Sequence, residues 1–429
     1  MTETLAIIPV GGELDATMTV PGSKSITNRA LLCAALASGV SRIEKPLVAD
    51  DTEAMIDCLA RLGVDIGLDQ DREVIEIVGG EGFVPPGPVG LDARLSGTTA
   101  RFLLPVLACG TGRYVLDAAV PMRRRPMGPI LAALFELGAQ LTEEGEPDHL
   151  PIAIEGRPLR GGRVALRGDV SSQFVSGLMM AAPLMTAGLR ISLTTDPVSR
   201  PYLALTARVM AAFGVEADLE SDGVIVVPPA VYTAAAPYVV EPDASTASYF
   251  FAAAAICGGR VRIEGLGRGS AQGDLAFVDV LARMGVEVEL AADYVEVRHQ
   301  GELHGVDVDM SEMSDTAQTL AAVAVFASSP TRVRGISFVK GKETDRIAAV
   351  VAELRRLGID AVEERDGFTV VPGVVQPATV HTYGDHRMAM SFALIGLRVG
   401  GIEIEDPRCV GKTFPEYWTA LDGLRTGHQ

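Results

Sequence analysis

A helix that ends in a small residue recurs six times along the chain, at nearly equal intervals. A second marker, a helix followed by glycine and a β-rich run, recurs five times with almost the same spacing. Self-similarity at a fixed period, here about 73 residues, indicates a fold assembled from repeats. The first set of markers is Gly39, Gly112, Gly188, Gly259, Ser329 and Gly400, and the second is Gly63, Gly138, Gly214, Gly285 and Gly358.

The fourth repeat shows the plan of one unit. Residues Thr246–Ile256 are apolar on nearly all sides, which predicts a buried helix, with Asp243 and Ser245 as candidate caps. A strand-like alternation follows, and Leu275–Met284 then has the i, i+3, i+4 spacing of an amphipathic helix. Two more alternating runs complete the order helix, strand, helix, strand, strand.

One such repeat cannot bury its helix alone, so repeats must pack together. Three repeats around a shared axis, with the buried helices inside and the sheets outside, would close a core. Six repeats then predict an α/β protein of two lobes with three repeats each. An extended solenoid is the structural alternative.

The composition limits the partners of the chain. Its 429 residues carry a formal net charge of −18, which argues against nucleic acid and anionic membranes as ligands. The five cysteines form no CxxC pair, and the start of the chain lacks the basic region of a signal peptide. The six histidines show no metal-ligand spacing. These features predict a cytoplasmic protein without metal or cofactor, and by default a monomer.

Polar and charged residues stand at the six starts of the buried helices. Helix N-termini bind anions because their N–H groups are unsatisfied and their dipole end is positive. Ser, Thr and Asp at these positions could simply be caps, but Gly97 and Gln173 cap poorly and the cations Lys24 and Arg387 are repelled by the helix dipole. We therefore expect a strongly anionic ligand. The six starts are Lys24–Ser25, Ser96–Thr98, Ser171–Gln173, Asp243–Ser245, Ser314–Asp315 and Asp385–Arg387.

Further cations lie in short runs elsewhere in the chain. Lys342 and Arg346 have i, i+4 spacing and would share one face of a helix, with Glu343 placed for a salt bridge to Arg346. Arg forks suit phosphate and carboxylate groups, although a run such as Arg123–Arg125 can also be a solvated surface. The other cations of this kind are Arg29, Arg101, Arg200 and Lys412.

Ten segments, in order along nearly the whole chain, resemble the enolpyruvyl transferase family, and in particular its branch that acts on shikimate 3-phosphate. They are PGSKSITNRALL, SGTTARFLLP, RRRPMGPI, GDVSSQFVSGLMM, PVSRPY, PDASTASYF, SDTAQTL, KETDRI, YGDHRMAMS and GKTFPEYW. The resemblance implies a two-lobed inside-out α/β barrel of six βαβαββ repeats. One lobe would contain residues 21–240, the other residues 1–20 and 241–429, and the active site would lie in the cleft between them.

The same resemblance implies a reaction and a set of site residues. The enolpyruvyl group of phosphoenolpyruvate would be transferred to the 5-hydroxyl of shikimate 3-phosphate, with release of phosphate through a tetrahedral intermediate, in the shikimate pathway of aromatic amino acid biosynthesis. The shikimate 3-phosphate residues would be Lys24, Ser25, Arg29, Ser171, Ser172, Ser199, Asp315 and Lys342. The phosphoenolpyruvate residues would be Lys24, Gly97, Arg125, Gln173, Arg346, Arg387 and Lys412.

Catalysis in the family implies that Asp315 is the base for the hydroxyl and that Glu343 and Lys24 transfer protons, with His386 near them. Two positions depart from the family, because Leu95 and Phe338 stand where Asn is frequent, so Phe338 cannot supply that amide's hydrogen bond. The resemblance also implies inhibition by glyphosate, competitive with phosphoenolpyruvate, and resistance on Gly97→Ala.

Two other functions fit parts of the pattern. The branch of the family that acts on UDP-N-acetylglucosamine typically carries a reactive cysteine before the Arg–Pro pair, but Leu116–Arg125 contains none and Cys109 lies in an apolar helix. A non-catalytic repeat scaffold could bind anions with the same cations. Such a scaffold would not need Asp315 and Glu343, whose charges repel an anionic ligand.

Overall fold

The computed structural model describes residues 3–82, 84, 86–220 and 223–426. The chain divides into two compact units, which we call the terminal unit (Met1–Pro21 with Pro242–Gln429) and the central unit (Gly22–Glu241). Both are mixed α/β. Within the described residues, no helix is both long enough and apolar enough to cross a membrane.

Thirteen α-helices lie in the described residues. They are α1 (Lys24–Leu36), α2 (Asp50–Arg61), α3 (Gly97–Ala108), α4 (Val120–Arg123), α5 (Gly128–Glu136), α6 (Ser172–Ala181), α7 (Pro201–Ala212), α8 (Ala244–Cys257), α9 (Phe277–Arg283), α10 (Ala317–Ala324), α11 (Arg346–Arg356), α12 (His386–Gly396) and α13 (Tyr417–Thr426).

The strands of the described residues are short. They are β1 (Thr4–Ala6), β2 (Leu14–Met18), β3 (Val40–Glu44), β4 (Asp65–Asp69), β5 (Val74–Val78), β6 (Val89–Asp92), β7 (Arg113–Asp117), β8 (Gln140–Glu143), β9 (Ile152–Glu155), β10 (Gly162–Leu166), β11 (Leu189–Leu193), β12 (Asp218–Leu219), β13 (Val224–Val227), β14 (Tyr238–Val239), β15 (Gly259–Glu264), β16 (Glu287–Leu290), β17 (Tyr294–His299), β18 (Asp307–Asp309), β19 (Thr331–Arg334), β20 (Asp360–Glu364), β21 (Gly367–Val371), β22 (Thr379–Val380) and β23 (Glu403–Glu405).

The central unit has three four-stranded sheets of the same design. Their strand orders are β14-β3-β5-β4, β6-β7-β9-β8 and β10-β11-β13-β12. In each sheet the first two strands are parallel and the remaining pairings are antiparallel. The parallel partner of β3 is β14, which follows the third repeat in sequence, so the end of the unit completes its first sheet.

The terminal unit repeats this design with two changes: one of its sheets has three strands, and two of its strands come from the start of the chain. Its sheets have the orders β16-β17-β15-β2, β18-β19-β21-β20 and β1-β23-β22, the last with three strands. Strand β2 comes from the start of the chain and pairs in parallel with β15, which lies beyond the whole central unit in sequence. Strand β1 pairs antiparallel with β23 near the end of the chain. Both β1 and β2 therefore belong to sheets that are otherwise built from residues after 241.

In each repeat, the helix whose sequence is apolar on nearly all sides is buried in the structure. In α8 every residue from Ala244 to Ile256 is buried, because its apolar side chains leave no face that gains from water. Asp243 caps this helix by accepting from the Thr246 N–H at 2.9 Å, as predicted, whereas Ser245 lies inside the helix and its hydroxyl is 2.8 Å from Asp274. The corresponding helices α1, α3, α6, α10 and α12 are likewise buried over most or all of their residues.

Candidate functional site

A charged cluster lies in the terminal unit, where four chain segments bring charged side chains together. We use this name for Asp315, Lys342, Glu343, Arg346, Asp385, Arg387 and Lys412. Asp315 lies in a single 3-10 turn before α10, while Arg346 and Arg387 lie in the first turns of α11 and α12. Asp345 and Asp385 cap these two helices by accepting from backbone N–H groups at 2.9–3.1 Å. The caps fix the first turns and hence the directions of the two arginines.

Ion pairs join the members of the charged cluster. The carboxylate of Asp315 lies 2.5 Å from Lys342 Nζ, 3.0 Å from Arg346 Nη1 and 2.9 Å from Arg387 Nη2. Glu343 lies 2.9 Å from Arg346 Nη2 and 2.8 Å from Lys412 Nζ. Four cations therefore share three carboxylates, and the cluster retains an excess of positive charge for an anionic ligand.

Asp385 is a member of the cluster that the sequence did not single out as a site residue. Its side chain is 0% exposed, and its oxygens accept from Arg346 Nε at 2.8 Å and Nη2 at 3.3 Å. Because Asp385 also caps α12, one carboxylate links the first turns of α11 and α12. The only signal in the sequence was an aspartate at a helix start, which is equally typical of a plain cap.

The surroundings of Asp315 set its ionisation. Burial by itself would raise the pKa of Asp315, but the charges of Arg387, Lys342 and Arg346 hold that pKa well below its usual value. Asp315 is therefore an anion at neutral pH in the absence of ligand. Burial would also lower the pKa of Arg346, but Asp385, Glu343 and Asp315 raise it overall.

The prediction that Lys342 and Arg346 share a helix face is wrong. The chain from Lys342 to Asp345 is not helical, and α11 begins only at Arg346 because Asp345 is its cap. Lys342 and Arg346 nevertheless bind the same oxygen of Asp315. The predicted salt bridge between Glu343 and Arg346 is confirmed at 2.9 Å.

Two further predicted residues of the terminal unit lie beside these ion pairs. His386 is 1% exposed, and its Nδ1 lies 3.6 Å from the Asp385 carboxylate. Lys412 ends a 3-10 helix that is held in place by α13, where the Trp418 Nε1–H donates to the Pro407 carbonyl at 2.9 Å. Phe338, one of the two departures from the family, packs against the apolar core of the unit.

In the central unit, Gly97 and Arg125 are neighbours. Gly97 is the first residue of α3, and Ser96 caps that helix by accepting from the Thr99 N–H at 3.2 Å. A methyl group on Gly97 would lie 2.9 Å from Arg125 Nη1, so the guanidinium rests against this glycine. Arg125 is 9% exposed, whereas Arg123 and Arg124 are exposed and Arg123 pairs with Asp117 at 2.6 Å. The sequence had selected Arg125 from the three.

Arg101 connects two predicted residues of the central unit. Its Nη1 donates to the Gln173 side chain at 2.8 Å, and its Nη2 donates to the carbonyl of Pro126, which follows Arg125, at 3.1 Å. Gln173 lies in the first turn of α6, capped by Ser171. Arg101 was noted only as a cation in the sequence, and its role as a link could not be read from spacing. Together, Gly97, Arg125 and Gln173 form what we call the glycine–arginine cluster.

The other predicted residues of the central unit lie at helix starts. Lys24 is the first residue of α1 and pairs at 3.3 Å with Asp51, a buried acid that the sequence did not flag. Ser171 and Ser172 lie at the start of α6, and Ser199 precedes α7 with a φ of +53°. Ser25 follows Lys24, and its carbonyl accepts from Arg29 Nη1 at 2.8 Å.

Arg29 is more deeply buried than a ligand contact requires. It is 1% exposed, and its donors reach the hydroxyls of Thr206 at 2.8 Å and Ser176 at 3.1 Å, together with backbone carbonyls. Its guanidinium also lies 4.9 Å from the centre of the Phe102 ring. In the structure Arg29 thus joins α1 to α6 and α7, and a direct contact with a ligand would need one of these bonds to open.

Both clusters place cations at or beside helix starts, an arrangement that suits anionic ligands, and the charged cluster adds carboxylates of the kind that exchange protons. This combination defines a group-transfer enzyme that acts on phosphorylated or carboxylated small molecules. Residues 8–421 match the sequence profile of the family described as EPSP synthase (3-phosphoshikimate 1-carboxyvinyltransferase). The chain belongs to this family.

Individual relatives agree with the family match. The chain is 45% identical over 417 residues to a 3-phosphoshikimate 1-carboxyvinyltransferase of Nostoc punctiforme, covering 97% of this chain and 98% of the relative. It is 41% identical over 425 residues to the protein of that name from Aliivibrio fischeri, covering 98% and 99%. Among solved structures, EPSP synthase from Acinetobacter baumannii superposes with a TM-score of 0.84 at 25% identity, covering 98% of both chains. The enolpyruvyl transferase NikO from Streptomyces tendae shares the fold, with a TM-score of 0.79 at 19% identity, covering 99% of this chain and 98% of NikO.

Proposed function

We propose that this chain transfers the carboxyvinyl group of phosphoenolpyruvate to the 5-hydroxyl of shikimate 3-phosphate and releases phosphate. The observation that carries the proposal is the charged cluster, in which three carboxylates are held among four cations in a member of the EPSP synthase family. Both substrates are anions, which accounts for buried cations in a chain with a net charge of −18. This reaction is a step of aromatic amino acid biosynthesis.

The binding roles follow the chemistry of the side chains. We assign phosphoenolpyruvate to Arg346, Arg387 and Lys412 together with Lys24 and the glycine–arginine cluster, because guanidinium forks match carboxylate and phosphate oxygens. Shikimate 3-phosphate is assigned to four serine hydroxyls, to Lys342, to Lys24 as a cation shared by both substrates, and to the carboxylate of Asp315. These residues are Lys24, Ser25, Ser171, Ser172, Ser199, Asp315 and Lys342. Arg29 supports Ser25 through its 2.8 Å bond to the Ser25 carbonyl.

The reaction is an addition followed by an elimination. The 5-oxygen bonds to C2 of phosphoenolpyruvate while its proton leaves and C3 gains a proton, which gives a tetrahedral phosphate adduct. The adduct then loses a proton from C3 and expels phosphate, which restores the double bond. Asp315 takes the hydroxyl proton, Glu343 and Lys24 exchange the C3 proton, and His386 lies next to this set. The surrounding cations stabilise the charge that collects on the departing phosphate.

Substrate binding makes Asp315 a better base. In the ligand-free cluster, Arg387, Lys342 and Arg346 hold the pKa of Asp315 well below its usual value, which makes its carboxylate a poor proton acceptor. An anionic substrate that draws Arg387 and Lys342 toward itself removes part of this field. The pKa of Asp315 then rises, and the base is activated only when the substrate is present.

The finer features of the protein are part of the same proposal. Each unit is an inside-out α/β barrel of three βαβαββ repeats, and the substrates bind between a lobe of residues 21–240 and a lobe of residues 1–20 and 241–429. The protein acts in the cytoplasm as a monomer, without cofactor or metal. Glyphosate competes with phosphoenolpyruvate.

The test is phosphate release from phosphoenolpyruvate, measured separately with shikimate 3-phosphate and with UDP-N-acetylglucosamine as acceptor. We expect release only with shikimate 3-phosphate. Release only with the nucleotide sugar would assign the chain to the other branch of enolpyruvyl transfer. Phosphate without a mass increase of the acceptor by one carboxyvinyl group would mean hydrolysis and would contradict the transfer.

A further inference from the structure

Glu353 is a buried carboxylate outside the set of residues assigned to substrates. It lies on α11, on the C-terminal side of Arg346, and it is 0% exposed. Its Oε1 accepts from the Tyr383 hydroxyl at 2.7 Å, and its Oε2 accepts from the His381 backbone N–H and from Arg356 Nε, both at 2.9 Å. A carboxylate withdrawn from water is stable only when such donors satisfy it, so the three contacts fix its place.

Two of these donors belong to the turn that leads into α12. This turn, His381–Asp385, contains two successive residues in the left-handed region, Tyr383 with φ +57° and Gly384 with φ +68°. The left-handed conformation is unfavourable for a residue with a side chain. Tyr383 therefore holds this conformation only because its surroundings impose it, and its contact with Glu353 is one constraint that the structure provides.

The turn is attached to α11 at two levels. Arg346 and Glu353 lie two helical turns apart, about 10 Å along one face of α11. Arg346 binds Asp385 at the end of the turn, and Glu353 binds His381 and Tyr383 nearer its start. The next residues are His386 and Arg387, and Arg387 Nη2 lies 2.9 Å from Asp315.

We infer that Glu353 is a positioning residue for the transfer reaction, which sets the place of Arg387 by holding the His381–Asp385 turn against α11. The three hydrogen bonds of its carboxylate go to Arg356, His381 and Tyr383, which lie outside the set assigned to shikimate 3-phosphate. Loss of Glu353 removes the contacts to the His381 N–H and the Tyr383 hydroxyl, and leaves the start of the turn with the ion pair between His381 and Glu405. Tyr383 then relaxes and Arg387 moves. The expected defect is selective for phosphoenolpyruvate. The inference rests on the proposed function.

The experiment compares Glu353→Ala, Glu353→Gln and Tyr383→Phe with wild type, at a temperature well below the melting transition of every variant. We expect Glu353→Ala to raise the KM for phosphoenolpyruvate about tenfold, because small displacements of a substrate-holding group have large kinetic effects. Glu353→Gln can still accept from the His381 N–H and donate to the Tyr383 oxygen, and should restore KM to within about threefold of wild type. Shikimate 3-phosphate affinity, measured by calorimetry, should change less than about twofold in all three.

The control is Glu364→Gln, which removes another ion pair of the terminal unit, that between Glu364 and Arg332 at 2.6 Å. It should leave both KM values unchanged. A purely structural role would lower the melting temperature and the active fraction of Glu353→Ala but leave the KM of the folded enzyme at the wild-type value, and that result would overturn the inference. If Glu353→Ala does not fold, Tyr383→Phe decides, since an unchanged KM for phosphoenolpyruvate there also overturns it. Wild type without phosphate release would reject the proposed function instead.

Discussion

The two units hold similar cations by different means. In the terminal unit, Arg346 is surrounded by the carboxylates of Asp315, Glu343 and Asp385, which raise its pKa against the effect of burial. In the central unit, Arg29 is just as buried, but its hydrogen bonds go to hydroxyl and carbonyl oxygens. Burial lowers the pKa of Arg29 to about 10, which still leaves it charged at neutral pH.

The difference separates two ways of preparing a site for anions. The charged cluster is preorganised by ion pairs, so an entering anion must compete with carboxylates that are already in place, and its binding changes their proton affinity. In the central unit, neutral oxygens hold Arg29 and Arg101, and a single carboxylate, that of Asp51, pairs with Lys24 at 3.3 Å, so an anion there meets less competition. We therefore expect substitutions of the carboxylates Asp315 and Glu343 in the charged cluster to affect chemistry, and substitutions in the glycine–arginine cluster to affect binding.

The largest effect is expected for Asp315→Asn. The amide keeps the shape of the side chain but cannot accept the hydroxyl proton, and it leaves Lys342, Arg346 and Arg387 without their shared counter-ion. We expect kcat for phosphate release to fall by about 10³-fold. The matched control is Asp307→Asn, which removes the exposed ion pair with Arg334 in the same unit and should retain wild-type kcat. A kcat for Asp315→Asn within about tenfold of wild type would reject Asp315 as the base.

A smaller loss of kcat is expected for Glu343→Gln. The carboxylate contacts Arg346 and Lys412, and it is a candidate donor for the C3 proton. We expect kcat to fall by about 10²-fold, with incorporation of solvent deuterium into C3 reduced in parallel. Glu363→Gln, which breaks an exposed ion pair with Lys340 on the same unit, is the control. If deuterium incorporation remained normal while KM alone rose, Glu343 would be a binding residue and the contrast between the clusters would weaken.

Gly97→Ala tests the glycine–arginine cluster. The new methyl group would lie 2.9 Å from Arg125 Nη1, and the side chain of Arg125 must shift to admit it. We expect the KM for phosphoenolpyruvate to rise about tenfold with kcat reduced by less than about threefold, and inhibition by glyphosate to weaken. Gly90→Ala is the control, because its added methyl group meets nothing within 4 Å. Equal glyphosate sensitivity in wild type and Gly97→Ala would contradict the prediction.

The repeat period and apolar patterns were sufficient to predict the alternation of buried helices and sheets, because burial depends on composition over whole segments. The position of β2 beside β15 was not predictable in this way, since a pairing between strands that the whole central unit separates in sequence leaves no local trace. In the site, the family resemblance selected Arg125, the arginine directly before Pro126, from its two neighbours. Asp385 and Asp51 could not be selected, because an acid at a helix start looks the same whether it caps the helix or also holds a cation.

The smallest effect concerns acid stability, and it compares one carboxylate from each unit. The pKa of Asp315 is held well below its usual value by Arg387, Lys342 and Arg346 against burial, and that of Asp169 is lowered by a hydrogen bond from Arg167. A carboxyl whose folded pKa is depressed stabilises the fold above its unfolded pKa, and this stabilisation is lost as pH falls through the folded value. Between about pH 6 and pH 3, the melting temperature of wild type should therefore fall by more than that of Asp315→Asn or that of Asp169→Asn.

Added salt should change the contributions of Asp169 and Asp315 to acid sensitivity by different amounts. The Arg167–Asp169 pair has side chains that are 63% and 37% exposed, whereas the side chain of Asp315 is 15% exposed. Added salt screens exposed pairs far more than buried ones. At about 0.5 M salt we expect the difference in acid sensitivity between wild type and Asp169→Asn to vanish and that between wild type and Asp315→Asn to persist. Loss of both differences in salt would mean that water and ions reach Asp315 freely, and the substrate-dependent rise of its pKa would lose its physical basis.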